Sequence, residues 1–342
     1  MSTLARPQQA TDVLPLGDFR PERGGLLRDA RLQYRLFGDP TVARSTGASL
    51  VFHALTGSAS IDEWWAPVIG PGRALDTSRH PVIAANLLGS CYGSSGPAAM
   101  AAGDFPELRT RDLARAHAPL LAHLGIRRLA LVTGGSLGGM VALQWGALSP
   151  VPVDRLVVFA APGRTAPQAI AWNAVQRMAI EADPAWQGGR YPAGQGPRAG
   201  LAAARAIAMI TYRSHVEFGD RFGRRQTRTR HRFDVEHYLR RHGEKLVERF
   251  DARSYVALMQ AMDNHDIGDF EAAGRQTSAR VGEIIGVGID TDILYLAAEV
   301  RGWVEAYCRG GAAARYEEIV TPFGHDAFLI EFEQVDRILR GR

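Results

Sequence analysis

The sequence predicts an α/β fold: a mostly parallel sheet with helices on both faces and a helical insertion that lies over the strand ends as a lid. Three observations predict it. Short β-branched, apolar runs alternate with helical patterns along most of the chain; the alternation lapses between residues 166 and 282 and then resumes; and one strand-like run ends in a glycine-flanked serine.

The strand-like runs are "ASLVFHA" from Ala48, "PVIAAN" from Pro81, "LALVT" from Leu129, "RLVVFA" from Arg155, "IIGVGI" from Ile284 and "RYEEIV" from Arg315. Most are apolar throughout, as strands covered on both faces require. The alternating run "RLQYRLF" from Arg31 predicts an edge strand with one wet face. Between the strands, "RDLARAHAPLLAHLG" places Leu113, Ala116, Leu120 and Leu124 on one stripe, predicting a helix that stops at Gly125. Residues 1–165 and 283–342 are therefore expected to form the sheet core, and residues 166–282 the helical insertion.

Composition bounds the function classes. The 342 residues are 46% hydrophobic and 22% charged, the proportions of an ordinary globular chain, and no apolar run reaches the ~18 residues of a membrane span. "MSTLARPQQATDVLPLGDF" lacks the apolar centre of a secretory signal, so a cytoplasmic location is expected. Two cysteines, Cys91 and Cys308, predict neither a disulfide scaffold nor a metal site. The net charge of +4 rests on arginine, because Lys245 is the sole lysine. The densest basic run, "RFGRRQTRTRHRF" from Arg221 to Phe233, reads first as a solvated face and second as a landing zone for a polyanion such as a nucleotide-bearing thioester. It has no aromatic platform for nucleic acid.

The stretch "LVTGGSLGGMVALQWG" from Leu131 carries the chemistry. A dinucleotide fingerprint needs different glycine spacing and a phosphate loop needs a lysine, which leaves GxSxG, Gly134 to Gly138, between a strand and a helix. A serine on that sharp turn projects from the sheet beside a helix N-terminus, and its crowded backbone demands small neighbours two residues away on each side. A serine hydroxyl also needs a base and an orienting carboxylate. In strand-turn-serine proteins of this kind the order is Ser, acid, His. His325 in "TPFGHDAFL" follows the last strand-like run and is the expected base; Asp290 or Asp292 in "GVGIDTDILY" is the expected acid. Asp263 and Asp266 fall inside the insertion and are less well placed. His53 is expected to position its loop. An oxyanion hole needs two N–H donors, and Leu137 with Leu55 in "HALTG" are the candidates, Gly57 relieving the turn.

Taken in order, "HALTG", "NLLGSCYGSSGP", "GGSLGGM", "YRS", "AMDNHDIG", "TDILY" and "GHDAFL" resemble the homoserine O-acetyltransferase family of α/β-hydrolase-fold acyltransferases, from about Gly24 to Ile338. The resemblance implies acyl transfer from an acyl-CoA to homoserine in methionine biosynthesis by a ping-pong route, with Ser136 as nucleophile, His325 as base and Asp292 as its orienter. It implies that Arg213 meets the substrate carboxylate and Asp326 its ammonium, and that Tyr212 and Asn86 line the pocket. It also implies a homodimer, and acyl-CoA as co-substrate with no metal or bound organic cofactor. The chain departs from the family pattern at Ser58, Ala59 and Ser60 after "HALTG" and at Leu296, Ala297 and Ala298 after "DILY". Succinyl in place of acetyl donors, serine in place of homoserine, an esterase on the same scaffold and a non-catalytic binding protein are the alternatives.

Overall fold

The computed structural model describes residues 9–226 and 233–341. Its centre is one sheet of β1 (Gln9–Phe19), β2 (Leu27–Phe37), β3 (Ala48–Phe52), β4 (Val82–Ala85), β5 (Leu129–Gly135), β6 (Val153–Phe159), β7 (Val281–Ile289) and β8 (Ala314–Ile319). The order across the sheet is β1-β2-β4-β3-β5-β6-β7-β8. β2 runs antiparallel to both β1 and β4, and every pair from β4 onward is parallel.

The two faces of the sheet divide its apolar residues by the period of two. Leu50, Phe52, Val132, Leu156 and Val158 enter one core with Trp145, Trp303 and Tyr307. Val51, Leu131, Val157, Phe159 and Val287 enter the other with Trp65, Phe328 and Val335. Helices thus cover both sides, which is why the central strands read as unbroken apolar runs.

Two sequence expectations shift. The run from Arg31 is not the edge strand: β1 pairs along it from Gln9↔Phe37 to Phe19↔Leu27 and takes the edge itself. β1 is illegible as a strand because Pro15 and Gly17 interrupt it; the register shifts on either side of Gly17, whose φ is 66°. The alternation in β2 is real, with Ala30, Leu32 and Tyr34 buried between more exposed neighbours, and it ends in the buried pair Leu36 and Phe37. The stretch from Arg111 to Gly125 is two helices, Thr110–Arg115 and Ala118–His123, rather than one. Pro119 has no N–H to return to the Arg115 carbonyl, so the ladder breaks there. The His117 ring fills part of the gap, its Nδ1–H donating to the Leu113 carbonyl at 2.8 Å.

Between β6 and β7 the chain forms the helices Pro167–Glu181, Arg198–Thr211, His215–Phe222, Asp234–Val247, Ala252–Asp263 and Phe270–Ser278. The last of these returns to the sheet face: Gly274 lies so close to Tyr307 that a Cβ would stand 2.7 Å from its backbone, and Gln276 donates to the Ala147 carbonyl at 3.4 Å. The earlier ones are tied to one another by a buried polar knot in which Asp263 receives Asn173 at 2.7 Å and Arg177 at 2.5 Å. They are also pinned to the sheet's strand-end loops. Ser214 caps the helix His215–Phe222 by accepting from Glu217 N–H at 3.0 Å, while its hydroxyl donates to the carbonyl of Pro322. Among the described residues no helix is long and apolar enough to cross a membrane.

Trp303 is fully buried and donates its indole N–H to the Ala161 carbonyl at 3.0 Å. Trp303→Ala is expected to lower unfolding stability by about 3–5 kcal/mol in urea titration, whereas Val320→Ala, at a side chain 65% exposed, is expected to stay within about 0.5 kcal/mol.

Candidate active site

Ser136 sits where β5 turns into the helix Leu137–Leu148, with φ 57° and ψ −125°. A side chain other than glycine's rarely adopts that region, and holding it there costs about 1–3 kcal/mol. Packing enforces it. A Cβ on Gly134 would stand 2.5 Å from the Gly138 carbonyl group, and one on Gly138 would run into the carbonyl oxygen of Phe52 on β3. The Ser136 N–H donates to Phe159 on β6 at 3.0 Å, so three adjacent strands fix the turn.

His325 lies in the turn Gly324–Leu329 after β8, and Asp292 in the loop after β7. The structure brings them together: Nδ1–H of His325 donates to Oδ2 of Asp292 at 2.6 Å. The other carboxylate oxygen accepts the N–H groups of Leu294 and Tyr295 at 2.8 and 3.0 Å. These three bonds fix the carboxylate in place and aim it at the ring. Asp290, the alternative acid, accepts from Thr321 N–H at 2.9 Å and so steadies the loop that carries His325. Asp263 is locked inside the insertion as described above, and Asp266 pairs with Arg164 at 2.8 Å.

The electrostatics separate this histidine from the other buried ones. Burial pushes His53, His117 and His265 down to about 4. Burial also disfavours protonation of His325, but the charge and hydrogen bond of Asp292 outweigh it and raise its pKa above the ordinary imidazole value. Its Nε2 is buried and has no hydrogen-bond partner among the described residues. His325 and Ser136 line the same chamber of about 60 Å³, together with Leu55, Arg205, Tyr212 and Asp326.

Leu137 opens the helix after the serine, and Leu55 lies in the turn after β3. No partner takes the Leu55 N–H among the described residues. His53 shapes this turn: its Nδ1–H donates to the Ala54 carbonyl at 2.8 Å and its Nε2 accepts from Leu87 N–H at 3.0 Å. Both ring nitrogens are thus spent on the loop.

The remaining sequence candidates divide. Tyr212 and Asp326 line the chamber, and Asp326 N–H donates to the Tyr212 carbonyl at 3.2 Å. Arg213 lies outside the chamber lining: it pairs with Asp326 at 3.3 Å on one side and Glu217 at 3.3 Å on the other, its side chain only 14% exposed. Asn86 is a tie between loops, accepting from Ala59 N–H at 2.7 Å and donating to Gln33 at 3.1 Å and to the Tyr92 carbonyl at 2.5 Å. It lines a second, outer cavity of about 730 Å³ that shares Ala54, Thr56, Arg205 and Leu329 with the chamber.

Arg205 is the residue that sequence reasoning missed. It lies on the helix Arg198–Thr211 with its guanidinium 5.2 Å from the Tyr212 ring, lines both cavities, and has no carboxylate partner among the described residues. The available signal was an arginine set in the small apolar run "LAAARAIAMI" two turns before Tyr212. Of the basic run Arg221 to Phe233, residues 227–232 lie outside the described residues, as do the first eight of the N-terminal stretch. Arg221 pairs with Glu217 at 3.1 Å and Arg225 with Asp234 at 3.5 Å.

Comparison with known proteins bears on the family and the fold. The family profile of the alpha/beta hydrolase fold matches residues 50–263. A homoserine O-acetyltransferase of Moorella thermoacetica is 44% identical over 346 residues, covering 93% of this chain and 91% of that one. The crystal structure of homoserine O-acetyltransferase from Bacillus anthracis superposes with a TM-score of 0.88 at 24% identity, covering 97% of each chain. Esterase E22 superposes with a TM-score of 0.89 at 21% identity, covering 98% of this chain and 99% of that one. At those identities the two structures speak for the fold alone.

The raised His325 pKa sets a pH dependence. The ring must be neutral to take a proton, so inactivation of Ser136 by an organophosphonate is expected to speed up as pH rises through a value above the ordinary ~6.5. In Asp292→Asn the raising charge is gone and burial remains, so that limb is expected to move to lower pH while the rate falls by about 10²- to 10⁴-fold. A limb that stays in place would remove Asp292 from this role.

Proposed function

The chain belongs to the homoserine O-acetyltransferase family of α/β-hydrolase-fold acyltransferases, and we propose that it moves an acetyl group from acetyl-CoA to the side-chain hydroxyl of L-homoserine through an acyl-enzyme on Ser136. One observation carries the reading: opposite charges, Arg205 and Asp326, stand in the lining of the chamber that contains Ser136 and His325. That arrangement suits a zwitterion, whose carboxylate a guanidinium grips and whose ammonium a carboxylate pairs. An ester hydrolase has no use for it.

In the first half-reaction Nε2 of His325 takes the proton of Ser136 as Oγ attacks the thioester carbonyl. The N–H groups of Leu55 and Leu137 receive the developing oxyanion. Collapse breaks the C–S bond, and His325 returns the proton to the departing thiolate. In the second half-reaction Nε2 takes the proton of the homoserine hydroxyl as that oxygen attacks the acyl-serine. Collapse then restores Ser136 with the same proton and releases O-acetyl-L-homoserine. Arg213 acts one step back, holding Asp326 from behind the chamber.

Water must be kept from the acyl-enzyme, and Ser136 and His325 are only 6% and 2% exposed beneath the insertion helices. The small chamber supports an acetyl over a longer acyl group. The exposed apolar side chains Val175, Met178, Ile210 and Val216 on the insertion support a homodimer through that face, and a cytoplasmic setting fits a biosynthetic acyltransferase.

Ser136→Ala is expected to abolish thiol release from acetyl-CoA. Arg205→Ala is expected to raise the KM for homoserine about 10- to 100-fold, the value of a charge-assisted contact, while the burst of thiol released in the first half-reaction persists. Thiol release that homoserine does not accelerate would overturn the transferase reading in favour of hydrolysis.

A further inference from the structure

We infer that the outer cavity seats the phosphate-bearing arm of the donor, and that Arg249 is the residue that meets its phosphates. This rests on the acyl transfer proposed above.

The geometry begins at the chamber. At about 60 Å³ the chamber is too small for a whole long thioester donor, so the rest of the donor must extend into a neighbouring space. The outer cavity shares four wall residues with the chamber, and its volume of about 730 Å³ falls in the range of sites that enclose a ligand of several hundred daltons. Its wall includes the loop from Thr56 to Ser60, which directly follows Leu55. A thioester whose carbonyl faces the Leu55 N–H therefore has its arm beside this loop.

Charge then selects the residue. The lining carries Arg35, Arg205 and Arg249 against one carboxylate, Glu63. Arg35 is engaged with Asp62 at 2.8 Å, and Arg205 stands at the throat where the acceptor binds. Arg249 is different. Its Nη1 donates to the Thr56 carbonyl at 2.7 Å and to the Tyr92 hydroxyl, and its Nη2 lies 3.5 Å from the Thr56 hydroxyl. All of these acceptors are neutral, and no carboxylate partner accompanies them among the described residues. The guanidinium is oriented while its charge is left uncompensated and exposed, which is the state a phosphate dianion needs. Phe250, the next residue, anchors the position by packing its ring 5.7 Å from that of Tyr92.

The basic run from Arg221 is denser in sequence, but two of its described arginines, Arg221 and Arg225, are already engaged by carboxylate partners. A lone arginine in "VERFD" attracts no attention by density, yet at the wall of the outer cavity, away from the throat, it has no carboxylate partner among the described residues.

The test compares acetyl-CoA with S-acetylpantetheine, which carries the same thioester and no phosphate. In Arg249→Gln, which keeps a donor toward Thr56, the loss of kcat/KM with acetyl-CoA is expected to exceed the loss with S-acetylpantetheine by about 10- to 100-fold. Arg249→Glu is expected to widen that ratio, added salt to narrow it, and Arg224→Gln to leave it alone. Equal losses on the two donors would mean that Arg249 only braces Thr56 and Tyr92, and would overturn the inference; so would a ratio that moves with Arg224 instead. Calorimetric binding of free coenzyme A and of pantetheine reads the same contact without turnover. An enzyme that binds coenzyme A through Arg249 yet transfers no acetyl group would sink the functional reading and leave this one standing.

Discussion

The packing of the Ser136 turn against the end of β3, the parallel neighbour of β5, is the constraint on which the rest depends. Gly138 packs against the Phe52 carbonyl with no room for a methyl group. The close approach that forbids a side chain there also brings the loop after β3 beside the serine, so the strain of the turn and the position of Leu55 have one cause. The chain keeps an unfavourable serine conformation because three strands over-determine it.

Around that fixed point the site uses burial in two opposite ways. Three buried histidines lack a carboxylate at hydrogen-bond distance and are driven neutral, where they serve as ties. The fourth faces Asp292, whose charge is itself stabilised by two backbone N–H groups, and the low local dielectric strengthens that pair. In the proposed reaction the same dryness protects an acyl-serine from water and strengthens the attraction of Arg205 and Asp326 for a zwitterion. Catalysis, acceptor recognition and exclusion of hydrolysis are consequences of one enclosure, made by helices anchored to the Pro322 loop through Ser214.

The sheet was legible in the sequence wherever burial on both faces gave apolar runs, and so was the serine turn, because its steric demand reduces to glycine at two fixed positions. Asp292 and His325 were legible from chain order with the family resemblance. What escaped has physical reasons. β1 is an edge strand bent by Pro15 and Gly17, so its alternation is broken. The helix at Thr110 breaks because of one missing N–H at Pro119, a local fact that the apolar stripe overrides in a periodic reading. Arg205 and Arg213 differ by two helical turns and one pocket wall: only coordinates show that the second spends its charge on Asp326 and Glu217 while the first does not. Asn86 has the chemistry of a ligand contact, and its hydrogen bonds go to the backbone and to Gln33 instead.

The most direct measurement is intact-protein and peptide mass spectrometry of enzyme quenched after mixing with acetyl-CoA in the absence of acceptor. The account requires one acetyl group, located on the peptide that contains Ser136, which disappears when homoserine is added and never forms in Ser136→Ala. Steady turnover with no adduct on that serine, or an adduct located elsewhere, would contradict it.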